Sequence, residues 1–124
     1  MSETAHTTAF LTIDIKQNRL RIYKSVLHMM GDPKNIQLLV NPEEMVVAIR
    51  CVDVARKDDQ THRIKMVANN CVEISSMAFI RKLCTVVGSL DPSHSYRLAG
   101  RVYPTERVAV FSLKTIQKIK KQER

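Results

Sequence analysis

Short runs of alternating apolar and polar residues, each closed by a turn signal, occur in one order and then occur again. A period of two places successive side chains on opposite faces, so each run reads as a half-buried strand. Residues 10–16, Phe-Leu-Thr-Ile-Asp-Ile-Lys, form the first such run, and Gln17-Asn18 makes a tight turn. Residues 19–23 alternate again, with Leu20 and Ile22 on one face and Arg19, Arg21 and Tyr23 on the other. Ser25 is placed to cap a short helix over 26–30, which Gly31 ends. Strands over 36–40 and 45–52 follow, joined by the turn Asn41-Pro42-Glu43-Glu44.

The second half repeats the order. A strand over 62–68, a turn at Asn69-Asn70 and a strand over 71–75 precede a helix over 77–87. Ser76 caps that helix, and Phe79, Ile80, Leu83 and Val87 recur at helical spacing up to Gly88. Strands over 96–102 and 108–113 flank the turn Tyr103-Pro104-Thr105-Glu106. The spacing of Ile116 and Ile119 predicts a helical tail.

The two series align. Leu20-Arg-Ile matches Val72-Glu-Ile at an offset of 72 − 20 = 52, and the two Pro-X-Glu turns match at 104 − 42 = 62. One such unit cannot bury its own apolar face, whereas two packed together or exchanging hairpins can. The expected fold is therefore mainly β with short helices: one domain over 1–124, built from two ββαββ units forming a pseudo-two-fold barrel. Unit one spans 9–52, a polar linker 53–61, unit two 62–113 and a basic tail 114–124.

Charge narrows the function. The chain carries +8 overall; residues 1–61 hold eight Lys/Arg against eight Asp/Glu, and residues 62–124 hold twelve against four. A basic balance favours a polyanionic partner. Cys51, Cys71 and Cys84 form no disulfide framework and, in apolar strand or helix contexts, are expected to be buried small hydrophobes; 1–8 has no leader pattern, so a cytoplasmic location is expected, with no membrane span. His6, His28, His62 and His94 are scattered without metal-ligand spacing, so no metal or other cofactor is expected. No nucleophile elbow, phosphate loop or dinucleotide fingerprint occurs, and Ser25, three residues before His28, is explained by capping. The chain is not expected to be an enzyme.

The stretch Asn18-Arg-Leu-Arg-Ile-Tyr-Lys-Ser-Val-Leu-His-Met-Met-Gly31 resembles the central signature of AbrB-like (SpoVT/AbrB, MazE-type) swapped-hairpin DNA-binding domains. Arg19 stands at the family Arg and Met30-Gly31 at its Leu-Gly, while Tyr23 replaces its Pro. The resemblance covers 9–52 closely and 62–113 in pattern only. It implies a swapped-hairpin barrel, acting as a single-chain pseudo-dimer or a homodimer; a duplicated unit of this kind is also similar to a double-psi barrel. It further implies a transcriptional regulator that binds double-stranded DNA. The expected DNA-facing residues are Lys16, Arg19, Arg21 and Lys24 on the first hairpin, Arg63 and Lys65 as their counterparts, and Arg81 and Lys82 on the second helix. The competing reading is a protein-binding module, an antitoxin-like or inhibitor protein.

Overall fold

The computed structural model describes residues 8–53, 60–64 and 70–119. Eight strands and two helices follow one another: β1 Thr8–Asp14, β2 Arg19–Tyr23, α1 Lys24–Met29, β3 Asn35–Asn41, β4 Val46–Val52, β5 Thr61–Arg63, β6 Cys71–Ser75, α2 Met77–Val87, β7 Ser95–Tyr103 and β8 Val108–Lys118. The strands form one antiparallel sheet in the order β5-β3-β4-β8-β7-β1-β2-β6. It curls into a nearly closed barrel whose gap lies between the outermost strands, where His62, Arg63, Glu73, Ile74 and Ser75 line one cleft.

Alternation in the sequence becomes the inside and outside of this barrel. Leu11, Ile13, Leu20, Ile22, Ile36, Val47, Ile49, Val72, Leu98, Val102, Ala109 and Phe111 are all fully buried. Val26, Leu27, Phe79, Ile80 and Leu83 bring the buried faces of the two helices onto the same core. Burying a large aliphatic side chain contributes about 1.5–3 kcal/mol, so the inward rows dominate the stability of a chain that has no Trp.

Each hairpin of the first half is held by strands of the second half. The β1–β2 hairpin lies between β7 and β6, and the β3–β4 hairpin between β5 and β8. Backbone bonds reinforce this crossing in matched pairs. Lys24 N–H donates to Asn70 O and Ser76 N–H to Asn18 O, both at 2.9 Å; Cys51 N–H donates to Arg107 O and Leu113 N–H to Met45 O.

Both helix ends on glycine are as expected. Gly31 has φ 92° and Gly88 φ 90°, a region that costs a residue without Cβ nothing. At the first, Gly31 N–H donates to His28 O and Asp32 N–H to Leu27 O, the paired bonds of a Schellman stop. Arg107 adds a cation there, its Nε–H donating to Met30 O at 3.2 Å.

Three expectations are corrected. Ser25 is not a cap: α1 starts at Lys24, with Tyr23 at the N-cap position making no side-chain bond, and Asn70 O takes the Lys24 N–H instead. The tail is not helical up to Lys118, because β8 runs on and pairs Gln117 and Lys118 with Arg97 and Tyr96. Two apolar residues three apart bury little as a helix, whereas the open edge of β7 satisfies the backbone. Thr115 bridges the resulting bulge, its Oγ1 accepting the Ala99 N–H at 2.9 Å and donating to Ser112 O at 2.6 Å. The three cysteines are half-buried rather than core residues. Of the expected strand over 62–68, His62 and Arg63 belong to β5, Ile64 follows its end, and 65–68 lie outside the described residues, as does most of the linker, at 54–59.

Candidate nucleic-acid interface

The outward face of β2 carries the cations that the sequence singles out. β2 pairs with β6 so that Arg21 faces Glu73, Arg19 faces Ser75 and Tyr23 faces Cys71. Arg21 Nε–H donates to Glu73 Oε2 at 2.9 Å, and Arg19 Nη1–H donates to Glu73 Oε1 at 3.4 Å. Arg19 also lies 3.6 Å from Asp14. One carboxylate therefore draws two guanidiniums together and offsets part of their charge. The Glu73 side chain is 30 % exposed, so water screens these pairs and each contributes under about 1 kcal/mol.

The other expected residues fall into three places. Lys16 is exposed in the turn between β1 and β2, and Lys24 is exposed at the first turn of α1, so both lie at the ends of the β2 row. Arg63 lines the barrel gap together with Glu73, which brings it to the same region from β5. Arg81 and Lys82 are exposed on α2; Lys82 borders a cleft with Leu38 and Val40 of β3, away from the row. Lys65 lies outside the described residues.

A second group, built around Phe10 and Arg97, escaped the sequence reading. Thr12 of β1 faces Arg21 on one side and Arg97 of β7 on the other, which sets Arg97 on the outward face. The Arg97 guanidinium carbon lies 4.8 Å from the centroid of the Phe10 ring. Phe10 and Tyr23 are 37 % and 42 % exposed, on adjacent strands. The signal lay in the alternation itself, since Phe10 and Arg97 both occupy outward positions, but which strands are neighbours is a long-range fact.

One Ser-His-Asp cluster occurs among the described residues. Ser93, His94 and Asp91 touch, yet Ser93 Oγ at 3.2 Å and Asp91 at 2.9 Å both approach the same His94 Nδ1. A relay needs one partner on each ring nitrogen, so this is a turn and not a nucleophile with its base. Ser93 N–H and Oγ–H both donate to Asp91, and these bonds hold its carboxyl below the usual carboxylate range. Burial pushes the Cys51 and Cys84 thiols up, which disfavours the reactive thiolate. No cluster of three His, Cys, Asp or Glu suited to a metal ion occurs among the described residues. No helix among them is long and apolar enough to cross a membrane.

Comparison of this chain with protein-family models, with curated proteins and with solved structures gives no match.

Proposed function

We propose that this protein is a DNA-binding regulator of AbrB-like type. In this reading, two ββαββ copies form a single-chain pseudo-dimer with interleaved hairpins, working in the cytoplasm by binding rather than by catalysis. The symmetry of the strand pairing supports the duplication. The β2–β6 ladder is centred on Arg21 opposite Glu73, and 21 + 52 = 73. The β4–β8 ladder is centred on Ala48 opposite Val110, and 48 + 62 = 110. Left-handed residues recur at the same two offsets, at Asn18 and Asn70 and at Met45 and Arg107. A sheet pairing that maps onto itself about those centres is what a two-fold axis between two copies produces.

The observation that carries the functional reading is the row of cations on β2 and at its two ends. Arg19 and Arg21 lie on β2, Lys16 and Lys24 stand at its two ends, and Arg63 of β5 lines the same cleft as Glu73. A central guanidinium suits a guanine edge while the flanking lysines neutralise phosphates. Glu73 keeps Arg19 and Arg21 extended on the face and is the group that DNA phosphates must outcompete.

The test is fluorescence anisotropy with mixed-sequence duplex DNA at low and physiological salt. Wild type is expected to bind and to weaken steeply with salt through counterion release. Arg21→Ala and Arg63→Ala are expected to bind about tenfold more weakly, in line with 1–3 kcal/mol for a specific contact. Glu73→Gln is expected to bind several-fold more tightly while keeping the fold. No binding at low salt transfers the proposal to a protein partner; unchanged affinity in both arginine variants removes this face from the site.

A further inference from the structure

We infer that the outer face of β1 and β7, with Tyr23 at the end of β2, is a stacking site for single-stranded nucleic acid, adjoining the duplex-facing row proposed above on the same side of the barrel. Its parts are two exposed rings and the cations beside them. Phe10 and Tyr23 lie just beyond the Leu11–Ile22 pair on neighbouring strands, and both line one cleft. Two clefts meet at Tyr23. One is apolar, about 370 Å³, and runs between Phe10, Tyr23, Val26 and Met29. The other is basic, about 310 Å³, and runs between Tyr23, Arg97, Gln117 and Lys118. No Asp or Glu lines either cleft.

The occupant follows from this pairing of chemistries. Arg97 and Arg101 make no ion pair among the described residues, unlike Arg19 and Arg21, which Glu73 and Asp14 hold. Lys118 meets only Asp91, at 4.0 Å. An anion is therefore favoured on this side of the barrel. Aromatic surface beside it asks for an anion that also carries flat apolar rings. A polynucleotide strand supplies both at the spacing of its bases, and only an unpaired strand exposes the faces of those bases. Arg97 already covers one face of Phe10 and leaves the other to a base. On the far side Phe10 faces Ala99, and Ala99 in turn faces Ser112; small side chains there leave room for a strand to continue towards Arg101.

The probes are fluorescein-labelled oligothymidylate and oligouridylate of about ten residues, titrated into the full chain at low salt, with mixed-sequence duplex as the comparison arm. Both single strands are expected to bind, and the ratio between them tells whether the ribose hydroxyl matters. Phe10→Ala and Tyr23→Ala are each expected to weaken single-strand binding about tenfold, and Tyr23→Phe to restore it. Both rings are exposed, so circular dichroism should be unchanged. The chain has no Trp, so Tyr23→Trp provides a single reporter whose emission is expected to be quenched when a base stacks on it. No binding of either single strand overturns the inference, whatever the duplex does. So does binding that Phe10→Ala and Tyr23→Ala leave unchanged. Equal losses on single strand and duplex assign the rings to a general nucleic-acid surface and overturn the single-strand assignment.

Discussion

Gly100 shows how one residue constrains this barrel. It lies on β7 opposite Phe111 of β8, beside the bulge that Thr115 bridges. Its backbone is not left-handed; the need for glycine is one of space. A Cβ at that position would overlap the Val110 carbonyl oxygen and sit 2.6 Å from Phe111 Cα. These are backbone atoms of a paired strand, which cannot step aside as a flexible side chain can. Gly100→Ala is therefore expected to destabilise the protein by about 3 kcal/mol, the upper range for overpacking. Urea unfolding measures it; a midpoint within error of wild type would mean that β7 and β8 separate freely there. Nothing in the local sequence marks this glycine apart from Gly31 and Gly88, which end helices, because the clash comes from a strand ten residues further on.

Among the elements, the two helices make a controlled comparison. Both follow a strand and carry a serine near the start. Ser76 is buried and accepts the Phe79 N–H at 3.2 Å, as an N-cap should. Ser25 is exposed inside the first turn of α1 and caps nothing. Ser76→Ala is expected to cost about 1 kcal/mol, and Ser25→Ala under about 0.5 kcal/mol. Paired thermal or urea melts decide this, and equal losses would contradict the assignment of the caps. The limits of β2, α2 and β6 coincide with the sequence reading because alternation, a cap and a glycine bound them locally. The ends of β8 and α1 do not, since Tyr96, Arg97 and Asn70 decide them from outside.

For the whole molecule, the interleaving of hairpins predicts obligate cooperation between halves. Within residues 8–53 the two hairpins do not pair with each other, so the first half alone leaves the outer edges of β1 and β2 and the inner core open. A fragment covering the first half is expected to show no cooperative unfolding alone and to regain a transition when mixed with the second half. Circular dichroism melts of each fragment and of the mixture test this; a cooperative melt of one fragment as a monomer would show that its hairpins find each other unaided. Closing so many long-range pairs before any core forms also implies folding slower than that of helical chains of this size.

Composition and period-two alternation were enough to determine a β-rich chain, the order of its elements, the inward rows of aliphatic residues and the two glycine stops. Each of these depends on residues within a few positions of one another. Tertiary structure alone decided which cations are free. Arg21 and Glu73 are 52 residues apart in the chain, yet meet across β2 and β6, while Arg97 reaches Phe10 only because β7 pairs with β1. Charge that looks available along a strand is thus compensated where β2 meets β6 and left uncompensated on β7, two strands away on the same outward face, and only the strand order says which.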